Sequence, residues 1–490
     1  MDLRDAATTP IIPGFFPDPS ICRAGQNLYL ANSSFEYSPG VPLWQSSDLV
    51  TWHEAGHALA GDAAFPAGDA GAGGGVYAPT LRFHGGRFWM ITTNVSGPPG
   101  QLVTSASAID GPWDAARIIE GIPGIDPDLA WDDEGTCLVT YSSNTTEVPG
   151  IAQVRVDLDA GAIAGEPFSI MPGTGLAYPE GPHLFRRGAW WYLLFAEGGT
   201  ERGHCISVAR GPAASGPFEL CPDNPILSRR STTFPVQNTG HADMVELADG
   251  AWAMVYLGVR PRGATPLFHV NGRETFLAGI EWVDDWPVVV PDRYRIPLPA
   301  TAFTDRFDSS QLHPRWTSPG AAPNEIATTG SGVEVRAAES RNRAPALLGV
   351  RARDPYWRFT AVTEAHDGAA VRVRMDDRHW YELRLDHGAA RVRAQLGPVA
   401  EEFSAGRSLA PTGAIELWVS AVEATTGGPD DLVFAVRDGH GIQEVARLDG
   451  RYLSTEVAGG FVGRVIGLRA VNEPVRFSEV RYEPVMGEAR

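Results

Sequence analysis

The segment DPSICRAGQNLYL at residues 18–30 decides the fold of the first part of the chain, because its pattern occurs five times. In each copy a small polar or acidic opening leads into an apolar strand, a turn and a strand rich in aromatic residues. The other copies are APTLRFHGGRFWM at 78–90, DPDLAWDDEGTCLV at 126–139, EGPHLFRRGAWWYLL at 180–194 and HADMVELADGAWAMV at 241–255. The openings are 60, 48, 54 and 61 residues apart. A repeat of about 50 residues made of strands alone predicts a five-bladed β-propeller with one four-stranded sheet per blade.

The openings of the blades carry the residues that indicate function. Equivalent points of successive blades converge on one end of the central channel of a propeller. Blades one, three and four place a carboxylate there, at Asp18, Asp126 and Glu180. Cleavage of a glycosidic bond needs one carboxyl to protonate the leaving oxygen and another to attack or to activate water. Each acid alone reads as part of a common Asp-Pro or Pro-Glu turn, but three of them at equivalent openings favour glycosidic chemistry.

A second domain is predicted after the propeller, which we expect to occupy residues 1–299. The segment IPLPATAFTDRFDSSQLHPRWTSPG at 296–320 is rich in proline and serine and has little periodicity. Beyond it apolar and polar residues alternate with period two, as in VRVRM at 371–375. Residues 300–490 therefore predict a β-sandwich of the jelly-roll kind, and the short linker predicts that it packs on the propeller. The alternative for the first 300 residues is a pair of stacked sandwiches with coincidental turns.

Composition excludes several classes of protein. A net charge of −19 over 490 residues argues against binding to nucleic acid or to anionic membranes. The cysteines, which are Cys22, Cys137, Cys205 and Cys221, show no metal-ligand spacing and are expected to be buried free thiols. Such thiols suit a reducing compartment, and the start MDLRDAATTP lacks the apolar core of a signal peptide. We therefore expect a cytoplasmic protein, with a trimmed signal as the alternative.

Seven segments of the chain, in order from Ile11 to about Val290, resemble glycoside hydrolase family 43, in its β-xylosidase and α-L-arabinofuranosidase branch. They are IIPGFFPDPSIC, SSFEYSPGVPLWQSSDLVTW, GGVYAPTLRFHGGRFWMITTN, IDPDLAWDDEG, YPEGPHLFRRGAWWYLLFAEGGTERGH, TGHADMVE and GRETFLAGIEW. The C-terminal part resembles the sandwich domain often appended in that branch, with DRFDSSQLHPRW and GGFVGRVIGL as weaker markers. The fold of that family is a five-bladed propeller, which agrees with the number of repeats.

The resemblance implies roles for five polar residues. It makes Asp18 the general base, Glu180 the general acid, and Asp126 the third acid, which acts as pKa modulator and orienter. It implies that Arg273 binds hydroxyls of the non-reducing sugar, against the alternative of a surface salt bridge with its neighbour. It places His241 on the channel axis, near the sugar, a water molecule or a calcium ion. One histidine is weak evidence for a metal, so no cofactor is expected to be required and an axial calcium stays open.

Aromatic residues near the openings are expected to form the walls of the pocket. Phe35 and Tyr77 are the candidates for contact with the sugar, and core packing is the alternative for both. Relatives often place an aromatic residue of the sandwich over the pocket, and Val465 is assigned to that position here, which predicts a looser lid. Trp357 and Trp380 could form a sugar platform, although their strand spacing favours the core.

These features together predict an exo-acting glycoside hydrolase. It would remove a terminal pentose, β-D-xylose or α-L-arabinofuranose, from small xylo- or arabino-oligosaccharides, with inversion of configuration. The alternatives are an endo-acting arabinanase, a propeller glycosidase acting on fructosides, and a non-catalytic carbohydrate-binding propeller. The appended sandwich disfavours the first, the GHAD and GRETF segments disfavour the second, and the three acids disfavour the third.

Overall fold

The computed structural model describes residues 3–61, 70–337, 346–365 and 367–485, with backbone only for 405–407. Strands dominate this part of the chain, and its α-helices are the four-residue segments Pro323–Ile326 and Thr455–Ala458. A short 3-10 helix spans Gly450–Leu453. None of the described helices has the length and apolar character needed to cross a membrane.

Five antiparallel sheets follow one another up to Val290 and are numbered here as blades one to five. Blade one contains Ser20–Ala24, Asn27–Ala31, Gly40–Ser46 and His53–Leu59; blade two contains Thr80–His84, Arg87–Thr92, Gln101–Ala106 and Arg117–Ile119. Blade three contains Gly124–Trp131, Cys137–Ser143, Ile151–Asp157, Ala162–Ile163 and Phe168–Met171. Blade four contains Glu180–Arg187, Trp190–Glu197, Cys205–Gly211, Glu219–Leu220 and Leu227–Ser228. Blade five contains Gln237–Glu246, Trp252–Val259, Glu274–Val283 and Trp286–Val290.

The first strands of the blades form a closed ring. Each of them contacts the first strand of the next blade, and the first strand of blade five contacts that of blade one. The two ends of this part of the chain are joined by pairing of Leu3–Asp5 with Arg295–Pro297. The five-bladed propeller predicted from the repeat is therefore confirmed. Since each blade is covered on both faces, strands such as Trp252–Val259 are buried at every position, which explains their unbroken apolar sequence.

A local break in the ladders of three blades redirects the residues at their openings. The pairing register shifts at the start of the first strands of blades three, four and five. A β-bulge of this kind places one extra residue in the strand and redirects its side chain. The residues that adopt left-handed φ at these openings are Asp18 at 53°, Asp126 at 55°, Gly181 at 55° and His241 at 45°. The openings of blades one, three, four and five therefore share a left-handed residue, which in the last three accompanies the register shift.

The second domain is a sandwich of two antiparallel sheets. The eight-stranded sheet contains Phe303–Asp305, Ala327–Thr329, Val333–Val335, Trp357–Thr363, Ile415–Val422, Asp431–Asp438, Gly441–Asp449 and Val475–Pro484. The six-stranded sheet contains Leu348–Arg351, Ala369–Arg374, His379–Asp386, Ala389–Leu396, Val399–Ser408 and Val465–Ala470. Trp357 lies in the core between them, as expected. The core assignment of Trp380 was wrong, because its half-exposed ring lies outside the core with the Arg372 guanidinium 3.7 Å from the ring centroid.

The sandwich is held against blade one through the linker and through charged pairs. Ser318–Pro319, in the linker, pairs as a short strand with Tyr37–Ser38. Nη2 of Arg374 lies 3.7 Å from Oε1 of the buried Glu36. Burial raises the pKa of Glu36 to about 7, although Arg374 opposes that shift. Glu36 directly follows Phe35, which the sequence predicts as a wall of the pocket. The sandwich therefore contacts the propeller at the edge of the candidate site.

Candidate active site

Asp18 lies at the opening of blade one within a dense set of hydrogen bonds. Its Oδ1 accepts a hydrogen bond of 2.9 Å from Arg273, and its Oδ2 accepts one of 2.5 Å from the hydroxyl of Ser33. Nδ1 of His241 lies 3.7 Å from the same Oδ1 atom. Burial alone would raise the pKa of Asp18, but the charge of Arg273 and the other neighbours outweigh burial and lower it. Asp18 is therefore a carboxylate at neutral pH, able to accept a proton.

The surroundings of Asp126 shift its pKa in the opposite direction to that of Asp18. It is buried, and its Oδ2 accepts a hydrogen bond of 3.2 Å from the backbone N–H of Gly181. Burial raises the pKa of Asp126 well above its ordinary value, and the negative charges of Glu180 and Asp18 raise it further. Asp126 and Glu180 therefore favour sharing one proton, because two negative charges side by side in a buried site cost free energy.

Glu180 is the most accessible of the three acids. Its side chain is 20% exposed, whereas that of Asp18 is 5% exposed. Oε1 of Glu180 lies 3.4 Å from Nε2 of the buried His204. The exposed part of this carboxyl is the part that a ligand entering the channel can reach. The structure thus brings the three predicted acids together at one end of the channel.

Arg273 belongs to the site and not to the surface. It is 7% exposed, and its Nη1 donates both to Asp18 and, over 3.1 Å, to the hydroxyl of Thr200. The alternative pairing with Glu274 does not occur, because both carboxylate oxygens of Glu274 accept hydrogen bonds from Arg260. A guanidinium held in this way presents fixed donors to the pocket.

Three aromatic rings from both domains meet beside Arg273. Phe35 and Tyr77 come from the propeller, with ring centroids 5.3 Å apart. Phe461, from the sandwich, lies 5.8 Å from the ring of Phe35 and 5.9 Å from that of Tyr77. The Arg273 guanidinium lies 5.6 Å from the Phe35 centroid and 5.4 Å from the Phe461 centroid. These rings form one wall of the candidate site.

The assignment of Val465 to the lid position was wrong. Val465 is fully buried as the first residue of the strand Val465–Ala470, in an apolar cluster beneath the site. The aromatic residue is Phe461, in the turn before that strand. Gly459 and Gly460, with φ of 77° and 81°, place the turn where Phe461 reaches the propeller. The lid therefore carries an aromatic ring, and the expectation of a looser lid does not hold.

A second layer of polar residues lies below the acids on the channel axis. Arg82 donates over 2.6 Å to Asp128 and over 2.7 Å to Asp243, and its Nη2 lies 3.0 Å from Nδ1 of His183. Arg82 thus supplies a positive charge on the axis, balanced by two buried carboxylates. Burial lowers the pKa of His241 to about 4, so the imidazole above this layer is neutral at pH 7.

The axial residues do not present the set of free oxygen ligands that calcium prefers. The carboxylates of Asp128 and Asp243 are already paired with Arg82. In the part of the chain that the structure describes, the sole cluster of three or more potential metal ligands is Asp367, Asp386 and His387, in the sandwich. The calcium ion near His241 that the sequence left open therefore has no support in the geometry.

Sequence reasoning missed four residues of the site: Ser33, Thr200, His204 and Phe461. Ser33 and His204 stand in the quoted segments SSFEYSPG and GGTERGH, but no spacing connects them to an acid. The second layer was detectable, because Asp128, His183 and Asp243 each follow an opening residue by two or three positions. With a strand period of two and a bulge at the opening, these residues point to the same side as the opening residues.

Comparison with known proteins agrees with this geometry. Residues 7–287 match the model of the family "Glycosyl hydrolases family 43", and residues 304–483 match "Beta xylosidase C-terminal Concanavalin A-like domain". The chain is 33% identical to a xylosidase/arabinosidase of Butyrivibrio fibrisolvens, over 95% of each protein. It is also 33% identical to a non-reducing end α-L-arabinofuranosidase of Bacteroides ovatus, over 94% of this chain and 90% of the other.

Solved structures agree over the whole chain. A Bacteroides ovatus xyloglucan-locus GH43B structure superposes with a TM-score of 0.87 at 31% identity, covering 98% of this chain and 99% of the other. A xylan β-1,4-xylosidase of Bacillus halodurans superposes with a TM-score of 0.86 at 25% identity, covering 97% and 99%. The family matched by the propeller, together with the three acids at its openings, shows that this chain belongs to glycoside hydrolase family 43.

Proposed function

We propose that the protein is an exo-acting, inverting glycoside hydrolase that removes a terminal β-D-xylose or α-L-arabinofuranose from small oligosaccharides. The observation that carries the proposal is the meeting of Asp18, Asp126 and Glu180 in one channel end, beside the buried Arg273. The relatives' names support the pentose, because they are a xylosidase/arabinosidase and a non-reducing end α-L-arabinofuranosidase.

The proposed mechanism assigns one step to each acid. Asp18 is the ionised carboxylate and takes a proton from the attacking water, while Ser33 and Arg273 hold its two oxygens. Glu180 gives a proton to the leaving oxygen as the glycosidic bond breaks through an oxocarbenium-like transition state. Asp126 shares that proton with Glu180 and so favours a proton donor at neutral pH. No cofactor is required for these steps.

An exo mode of action is favoured by the wall of the site. Phe461 reaches over from the sandwich to Phe35 and Tyr77, which narrows one side of the channel end. An endo-acting arabinanase needs a groove open at both ends, and the aromatic wall opposes a long chain on that side. The walls do not separate xylose from arabinofuranose, since both are pentoses of nearly equal size.

Two measurements test this function. Rates on an aryl β-D-xyloside and on the matched aryl α-L-arabinofuranoside are expected to exceed those on the corresponding hexosides by at least about a hundredfold. A hexoside carries an extra hydroxymethyl group, and the aromatic wall of the site leaves no space for it. NMR is expected to show the inverted anomer as the first product, which corresponds to carboxyls of Asp18 and Glu180 about 6.5–9.5 Å apart. A first product of retained configuration contradicts the proposal.

Phe461→Ala is expected to weaken binding of the substrate more than the chemistry. Loss of one aromatic contact is worth about 1–1.5 kcal/mol, so KM for a disaccharide should rise about tenfold while kcat stays within about threefold. Tyr452→Ala, which removes an exposed ring elsewhere on the sandwich, is the control and should change neither constant. An unchanged KM in Phe461→Ala would show that the ring does not contact the substrate.

A further inference from the structure

His204 is a buried histidine to which the proposed mechanism assigns no role. It is 1% exposed and lies just before the strand Cys205–Gly211 of blade four. Its Nε2 atom lies 3.4 Å from Oε1 of Glu180. Any role of His204 at this place rests on the proposed function of Glu180 as general acid.

The position of the imidazole ring is set by a glycine of blade five. A Cβ atom at Gly240 would lie 2.1 Å from Cε1 and 2.3 Å from Nε2 of His204. The ring therefore lies flat against the Gly240 backbone, in space that any other residue at position 240 would fill. This contact restricts both the place and the tilt of the ring.

A backbone carbonyl determines which nitrogen of His204 carries the hydrogen. Nδ1 lies 3.2 Å from the carbonyl oxygen of Asn238, and a carbonyl can only accept. Nδ1 is therefore the donor in that contact. In the neutral ring Nε2 then carries the lone pair, and that lone pair faces Glu180.

We propose that His204 is a positioning residue for the general acid, whose Nε2 accepts a hydrogen bond from the protonated carboxyl of Glu180. This contact favours the protonated carboxyl and limits its rotation. The separation of 3.4 Å exceeds that of a strong hydrogen bond. His204 therefore biases the carboxyl toward the acid form without holding the proton against a departing sugar oxygen.

Other groups also face this pair. Asp126, on the first strand of blade three, and His241, on the first strand of blade five, interact electrostatically with Glu180. Asp18 and His241 interact with His204. Since Asp126 and Glu180 already hold one proton between them, the contribution of His204 is a fraction of the total.

His204→Phe tests the proposal, because a phenyl ring keeps a flat surface against Gly240 and removes both nitrogens. The alkaline limb of the pH profile of kcat/KM is expected to move down by about 0.5–1 pH unit. The rate on a disaccharide should fall about 10–30-fold, while the rate on a dinitrophenyl glycoside, which needs little protonation, should fall less than about threefold. His204→Gln, whose amide oxygen can reach the place of Nε2, should restore at least half of both losses.

Three results would overturn the inference. An upward shift of the alkaline limb would mean that His204 donates as an imidazolium, and an unchanged limb would mean that it does not affect the acid. Equal losses on both substrates would mean a structural role alone. If the phenylalanine variant does not fold, His204→Met is measured with the same expectations.

The Glu180→Ala background separates this inference from the proposed function. If His204 acts through Glu180, adding His204→Phe to Glu180→Ala should change the disaccharide rate by less than about twofold. A further tenfold loss in the double variant would overturn the role of His204 and leave Glu180 as the acid. If Glu180→Ala alone shows no dependence on the leaving group, the acid assignment itself fails, and the inference with it.

Discussion

Asp18→Ala is expected to lower kcat/KM by about 10⁴-fold on every substrate, the largest loss for any single replacement in this protein. A loss of that size is about 5.5 kcal/mol of transition-state stabilisation. The reason is that Asp18 is the acid whose surroundings favour ionisation, and without it no base is left to take the proton of the attacking water. Because water attack is needed whatever the leaving group, disaccharides and activated aryl glycosides should lose activity equally.

Asp18→Asn is the matched variant for this prediction. The amide has the shape of the carboxyl but cannot accept the proton, so its loss should be within about tenfold of that of the alanine variant. Ser33→Ala removes one hydrogen bond to Asp18 and should cost only about tenfold, because the carboxylate and its contact with Arg273 remain. More than a tenth of normal activity in Asp18→Asn, with an unchanged melting temperature, would exclude Asp18 as the base.

Glu180→Ala is expected to produce losses that depend strongly on the leaving group. The disaccharide rate should fall about 10³-fold, since the sugar oxygen cannot leave without a proton. The rate on a dinitrophenyl glycoside should fall less than about tenfold, because that group leaves as a stable anion. A plot of log kcat/KM against the acidity of the leaving phenol is the measurement, and its slope should be much steeper in the variant than in the unmodified enzyme.

Asp126→Asn is the companion variant for the acid. It removes the carboxyl that shares a proton with Glu180 while keeping a similar shape, so part of the activity should remain and the alkaline limb of the pH profile should move down. The direction follows from the pair, since loss of its one shared proton leaves two negative charges side by side in a buried site, and with asparagine at position 126 Glu180 can ionise without that cost. Equal losses for Glu180→Ala across the series of leaving groups would contradict the assignment of the proton donor.

Most of the fold could be predicted from repetition in the sequence. Five copies of one strand pattern predict five sheets, because each copy can bury its apolar faces only against its neighbours. The linker was harder, since 296–320 has no periodicity of its own. Its strand Ser318–Pro319 exists because it pairs with Tyr37–Ser38, a segment about 280 residues earlier. Strands that depend on distant partners leave little local signal.

The residues of the candidate site also fall into those that the sequence could predict and those that it could not. The three acids, Arg273 and His241 were found because they stand in recognisable segments. Ser33, His204 and Phe461 were not, because each meets its partner only after folding. Phe461 meets Phe35 across the domain boundary, and comparison of the segment GGFVGRVIGL with relatives led instead to the buried Val465, four residues further along.

The sequence by itself determined the ring of blades and the placing of acids at its openings, because a period of about 50 residues puts equivalent positions at one end of the channel. It could not determine the protonation of those acids. Asp18 and Asp126 both precede proline and both have left-handed φ, yet the pKa of the first is lowered and that of the second is raised. Tertiary structure decided this difference, because Arg273 and Ser33 reach Asp18, whereas Asp126 is buried beside Glu180, where a second negative charge is costly.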